Sequence, residues 1–213
     1  EANNAFLLVA VNSYLPHRLA AYCARIGTRL ITISTDCVFD GTRGGYSEND
    51  FSDARDLYGK SKFLGETTVE ETAAVTLRTS IIGRELTRPT HGLLEWFLSN
   101  EGITVKGFAN AVFSGFTTIE FARIMQLIIE QCQDLVGVYH VASQPIDKYS
   151  LLCMVKDIFG LDVDIVRDND FVCRRDLVMD RFSEMTGYTA PTWEQMIRGL
   201  RDDPTDYSEH EGV

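Results

Sequence analysis

Tyr58 and Lys62 stand four positions apart in DLYGKSKFLGE. On a helix this spacing brings a phenol and an ammonium to one face. Upstream, RLITIS is a short β-branched run that reads as a buried parallel strand. It delivers Ser34, Thr35 and Asp36 to its carboxyl end, where open α/β sheets place their ligand sites. A phenol and an ammonium opposite a strand-end hydroxyl make a proton-donating site. An ordinary Tyr titrates near ~10, and a neighbouring Lys charge is expected to lower that value toward working pH.

The elements that position these groups follow from periodicity. Residues 2–26 read as one amphipathic helix with Gly27 as its stop, which Pro16 should kink or divide. Ala74–Ile82 is a second β-branched strand, ended by Gly83. Thr87–His91 reads as a Pro-containing loop, GLLEWFLSNEG as a helix closing at Gly102, and ITVKGF as a strand. Phe116–Gln133 reads as a long helix and GVYHVAS as a strand returning to the main sheet. His140 on that strand reads as a packed, hydrogen-bonded core residue rather than a catalyst. DKYSLLCMVKDIFG follows as a helix with Asp147 at its N-cap and Gly160 as its stop. VDIVRD is the next strand, DNDFVCRRDLVMDRF a polar loop, and TWEQMIRGLRDD a final helix. The acidic, turn-rich tail 203–213 is expected to be disordered.

Thr35 with Tyr58 and Lys62 resembles the Thr/Ser, Tyr-x-x-x-Lys triad of extended short-chain dehydrogenases/reductases. The strings STDCVFDG, YSEND, LYGKSKFLGE and RTSIIG are most similar to dTDP-4-dehydrorhamnose reductases and related sugar-nucleotide reductases. The resemblance implies an α/β fold: an incomplete Rossmann-like doubly wound parallel sheet with a small C-terminal substrate lobe. Residues 1–83 would be the remaining part of the NAD(P)-binding domain. Residues 84–213 would be mainly the substrate lobe, with 114–143 returning to the Rossmann sheet. No G-x-x-G-x-x-G string occurs among the 213 residues. The resemblance places that turn upstream of Glu1, so the chain reads as the second part of a reductase and by itself a poor binder of dinucleotide.

The implied activity is hydride transfer from NADPH or NADH to a 4-keto group on a nucleotide-linked deoxyhexose. Tyr58 would give the proton, Lys62 would hold the nicotinamide ribose, and Thr35 would donate to the carbonyl oxygen. Ser34, Ser80 and Ile81 would join Tyr58 and Lys62 around the cofactor. Asp36, Cys37 and Arg175 would meet the substrate, with Arg174 or Arg175 directed to the sugar-nucleotide pyrophosphate. Asn12 and Pro16 match an Asn and a Pro of related reductases, in which the Asn supports the site. Sugar-nucleotide 4,6-dehydratases carry Glu where Cys37 stands, which argues against dehydration. GDP-fucose synthases, which epimerise before they reduce, place a Cys in the corresponding relation to Thr35. Cys37 is therefore either an acid/base or, as we expect, a pocket-lining residue. The rhamnose-type enzymes often carry Trp at the position of Ile81, so the hexose stays open. The regulatory subunit of methionine adenosyltransferase resembles the same reductases, which leaves a non-catalytic binding module as an alternative. A homodimer is one assembly that the resemblance allows.

Composition agrees with a folded enzyme domain, at 45% hydrophobic and 24% charged residues. The net charge of −11 argues against a nucleic-acid partner. No run of ~18 apolar residues suggests a membrane span. The N-terminal stretch lacks the basic leader of a signal peptide, and its first residue is not Met, which suggests a processed, trimmed or partial chain. Five scattered cysteines without a C-x-x-C pair suggest neither zinc nor disulfides, and a reducing cytoplasm.

Overall fold

The structure is a computed structural model of the 213-residue chain that describes residues 4–67, 73–86 and 89–207. Part of the expected Thr87–His91 loop, the first residues of the expected N-terminal helix and the tail from 208 lie outside the described residues.

The chain enters through α1 (Ala5–Val9), a π-helical turn (Ala10–Tyr14) and α2 (Leu15–Arg25). Pro16 has no N–H to offer the Asn12 carbonyl one turn back. The wide turn absorbs that defect, with Leu15 N–H donating to the Ala10 carbonyl. The expected division at Pro16 is thus a widened turn just before it.

β1 (Leu30–Thr35) runs parallel to β2 (Ala74–Thr79), and β2 parallel to β6 (Gly137–His140). The order β1–β2–β6 puts β2 in the centre, where all six of its residues are buried. That environment suits its β-branched sequence. The register sets Thr35 beside Thr79, and Arg78 beside both Ser34 and His140. Between β1 and β2 lie a 3-10 turn (Asp36–Val38) and α3 (Leu57–Leu64).

The run expected as one strand to Ile82 is broken at Ser80. Its end, β3 (Ile81–Ile82), leaves the main sheet and pairs with β5 (Phe116–Thr117). Gly115 packs so closely on the Ser80 carbonyl that a Cβ would collide with it. α4 (Leu93–Leu98) and β4 (Thr104–Phe113) follow β3. α5 (Thr118–Gln131) starts at a Thr117 cap.

A separate sheet has the order β7–β4–β8, with β7 (Ile146–Asp147) antiparallel and β8 (Asp164–Arg174) parallel to β4. β8 corrects the expected polar loop. Its polar residues face solvent while the ladder to β4 satisfies the backbone, with a register shift between Phe108 and Asn110. Between β7 and β8 runs α6 (Lys148–Phe159), capped by Asp147 and stopped at Gly160 with φ +72°. α7 (Asp180–Thr186), which begins at the end of the expected loop, and α8 (Trp193–Arg201) are the last helices among the described residues. Leu77, Phe97, Phe116, Ile124, Leu151 and Ile197 belong to one continuous core beneath these layers. Beyond α8 lies Tyr207, whose ring lies 4.5 Å from the Arg84 guanidinium and whose hydroxyl bonds Asp203.

Candidate active site

Thr35 ends β1 in extended backbone, and its hydroxyl accepts the Cys37 N–H at 3.1 Å, capping the 3-10 turn. The same hydroxyl donates to Asp36 Oδ1 at 3.2 Å. α3 begins under an Asp56 cap and lies against this turn. A Cβ on Gly59 would run into the Cys37 carbonyl oxygen and the Ala54 methyl, so the glycine next to Tyr58 permits the approach. At the other end of α3, a Cβ on Gly65 would run into the Asn12 carbonyl. This is the carbonyl that Pro16 leaves without its helical donor. Asn12 Nδ2 also donates to Ser61 Oγ at 3.1 Å, and Ser13 Oγ to the Ser61 carbonyl at 2.8 Å. Asn12 thus seats the helix that carries Tyr58 and Lys62.

Lys62 Nζ donates to the Ile33 carbonyl at 2.7 Å. Burial pulls the ammonium down from its ordinary value, opposed by Glu66. Tyr58 is 45% exposed, and its phenol is pushed up by burial and by Cys37, with the Thr35 hydroxyl pulling the other way. The expected lowering of Tyr58 by Lys62 is therefore corrected. Lys62 directs its ammonium to the strand end, and desolvation governs the phenol.

Under the strand ends lies a buried polar chain. Ser34 Oγ donates to Glu66 Oε1 at 2.7 Å, and Arg78 grips both Glu66 oxygens at 2.8 and 2.7 Å. Arg78 Nη1 lies 3.2 Å from His140 Nε2, and His140 Nδ1 lies 3.1 Å from the Tyr46 carbonyl. Arginine only donates, so Nε2 accepts and the proton sits on Nδ1. Burial and then Arg78 hold the imidazole neutral, its pKa lowered to about 3. His140 is fully buried, as a packed core residue should be. Ser34, expected beside the cofactor, is buried with its hydroxyl committed to Glu66, so it supports the site from below.

A cleft of about 280 Å³ opens beside Thr35. Asp36, Cys37, Ser80 and Ile81 line it from the β1 and β2 ends, and Lys148, Phe171, Cys173 and Arg175 from the β7–β4–β8 sheet and its helix. Arg175 Nε donates to the Phe39 carbonyl at 2.9 Å, and its Nη1 lies 3.2 Å from Cys37 Sγ. Arg174 is exposed and does not line the cleft. Burial, then the Asp36 charge, push the Cys37 thiol up, with Arg175 pulling the other way. Burial also raises the Asp36 carboxyl. The structure thus brings Asp36, Cys37, Ser80, Ile81 and Arg175 into one cleft. Thr35 and Tyr58 stand next to Asp36 and Cys37, outside its lining, and Lys62 is anchored on the β1 backbone at Ile33. Lys148, Phe171 and Cys173 are cleft residues that the sequence reading passed over. Lys148 alone had a signal, a cation in the first turn of a helix.

A model of the RmlD substrate binding domain family matches residues 3–167, and the chain belongs to that family. It is 32% identical to the methionine adenosyltransferase 2 subunit beta of Danio rerio over 146 residues, which is 63% of this chain and 45% of the relative. It is 45% identical to a dTDP-4-dehydrorhamnose reductase of Mycobacterium tuberculosis (strain H37Rv) over 74 residues, 32% of this chain and 24% of the relative. With the Haloferax volcanii "Probable low-salt glycan biosynthesis reductase Agl14" it shares 30% identity over 223 aligned positions, covering 97% of this chain and 74% of the relative. The chain spans less than half the length of the first two of these proteins. Among solved structures, a dTDP-4-dehydrorhamnose reductase of Bacillus anthracis in complex with NADP superposes with a TM-score of 0.79. At 20% identity, over 92% of this chain and 73% of that one, it shows a shared Rossmann-like α/β fold. Among the described residues no helix is long and apolar enough to cross a membrane.

Proposed function

We propose that the protein reduces a 4-keto group on a nucleotide-linked deoxyhexose with NADPH or NADH, and that Thr35, Tyr58 and Lys62 carry the reaction. The single observation behind this reading is that Thr35, Tyr58 and Lys62 all meet the carboxyl end of β1, next to the cleft residues Asp36 and Cys37. There the Thr35 hydroxyl is close enough to pull the Tyr58 phenol's pKa down, and Lys62 is anchored on the same strand at the Ile33 carbonyl. The relatives named as a dTDP-4-dehydrorhamnose reductase and as a probable glycan biosynthesis reductase support it.

The residues present fit the nicotinamide end of a dinucleotide. Lys62 has three ammonium protons and uses one on Ile33, which leaves donors for ribose hydroxyls. Ile81, 43% exposed at the end of the broken strand, offers an apolar surface for a flat ring. When bound, the dinucleotide supplies the hydride. The chain's own residues supply position and the proton. The Thr35 bond to Asp36, at 3.2 Å, is long for a hydroxyl donor, so that proton turns readily to a carbonyl oxygen. Tyr58 protonates the same oxygen as negative charge develops on it. Held above its ordinary range, the phenol is a fully loaded acid at neutral pH. Cys37, kept neutral by burial and by Asp36, lines the pocket.

The test is oxidation of NADPH by the protein in its full encoded length, supplied with dTDP-, UDP- or GDP-linked 4-keto-6-deoxyhexoses. We expect one sugar reduced per dinucleotide consumed. The likeness to methionine adenosyltransferase subunits favours one other reading, a regulatory subunit. No turnover with any of these sugars, together with tight association with a methionine adenosyltransferase catalytic subunit, would establish that role instead.

A further inference from the structure

Lys148 is the first residue of α6, immediately after its Asp147 cap. A cation in the first turn opposes the positive end of the helix dipole, so the helix gains nothing from a lysine there. Among the described residues Lys148 makes no ion pair, yet it lines the 280 Å³ cleft and acts on the Asp36 carboxyl across it. Arg175 stands on the same side of the cleft, with Nε and Nη1 engaged and Nη2 making no hydrogen bond among the described residues. Of the lining side chains, Asp36 is the one carboxylate and Lys148 and Arg175 are the two cations. The cleft is thus net positive in a protein whose overall charge is −11.

We propose that Lys148 and Arg175 form a two-cation clamp on an anionic group of the ligand, with Lys148 supplying the second charge. This rests on the reading of the cleft as the substrate site. Arg175 presents a planar fork held in place by Phe39, whereas Lys148 presents a mobile point charge. Such a pair holds an oxyanion from two sides. Two sources would satisfy the chemistry: the phosphates that link sugar to nucleoside, and a carboxylate on the sugar.

The experiment is calorimetric titration of the protein without reduced dinucleotide, using thymidine diphosphate, thymidine and D-glucuronate as probes. The variants are Lys148→Met and Lys148→Arg. We expect Lys148→Met to weaken one of the two anions about 10-fold or more, the range for a hydrogen bond to a charged group. Lys148→Arg should restore most of the affinity, and thymidine binding should not change. Sensitivity confined to thymidine diphosphate puts the phosphates on Lys148, and sensitivity confined to glucuronate puts a sugar carboxylate there. Both support the clamp. Removing a cation from a helix N-terminus does not weaken the helix, so Lys148→Met should melt no lower than wild type, which separates lost binding from lost fold. Equal affinities of wild type and Lys148→Met for both anions overturn the proposal, as does the absence of saturable anion binding by wild type. The readout is binding without turnover, so failure of the reductase reading leaves this result standing, and failure of the clamp leaves a measured reductase activity standing.

Discussion

The proton on Tyr58 is held by desolvation, and that has a kinetic signature. An acid whose pKa is raised stays protonated through neutral pH and is lost only on the alkaline side. The rate of reduction should therefore be flat around neutrality and fall at or above the ordinary tyrosine value of ~10. A limb centred near neutrality would show that a charge absent from the chain alone controls the phenol. Cys37 gives a second residue-scale expectation. A thiol pushed up by burial and by Asp36 is a poor proton exchanger at working pH. Reduction in deuterated water should leave the carbon beside the ketone unlabelled, and Cys37→Ser should alter mainly KM. Label that disappears in Cys37→Ser would instead make the protein an epimerase-reductase. Thr35, Tyr58 and Lys62 are legible in sequence because their spacing on one strand end and one helix face is local. The direction of the Tyr58 shift is not, since it depends on where the Lys62 ammonium points.

At the scale of elements, α3 is seated by two glycines whose missing side chains make room for carbonyls. The Asn12 carbonyl can face Gly65 because Pro16 and the π-helical turn leave it free of its own helix. Gly65→Ala should overpack this contact and cost about 1–3 kcal/mol in urea unfolding. It should also lower kcat, since the displaced helix carries Tyr58. Unchanged stability would mean that α2 and α3 separate easily, and that Asn12 has no part in placing the acid. The pairing of Pro16 with Gly65 is not legible in sequence, because it joins residues of different helices. β8 was hidden for another reason. DNDFVCR has the composition of a loop, and only the ladder to β4 makes it a strand.

Across the molecule, the chain Ser34–Glu66–Arg78–His140 ties β1, the segment just after α3, β2 and β6 together beneath the site. His140 folds at about 3 against an ordinary value near 6.5. Between these values the unfolded chain binds one proton more, so stability rises with pH through the window and is lost as pH falls through it. The slope is about 1.4 kcal/mol per pH unit well below ~6.5. Between pH 7 and pH 5, wild type should lose roughly 2 kcal/mol more than His140→Gln, read from urea midpoints. Equal losses would mean that the imidazole is already charged in the fold. The parallel α/β class is visible in the β-branched runs, and the resemblance names Arg175. Lys148 enters the cleft only because the β7–β4–β8 sheet and its helix fold over the end of β1, a contact between residues more than a hundred positions apart.

The central claim, that this fold transfers a hydride while Tyr58 supplies the proton, has one direct measurement. The full-length protein and its Tyr58→Phe variant are given NADPH deuterated at C4 of the nicotinamide and a nucleotide-linked 4-keto-6-deoxyhexose. Wild type should place deuterium at the sugar C4, and Tyr58→Phe should do so ~10²–10⁴-fold more slowly. Transfer by Tyr58→Phe within a factor of about three of wild type, far less than a positioned acid contributes, would contradict the account.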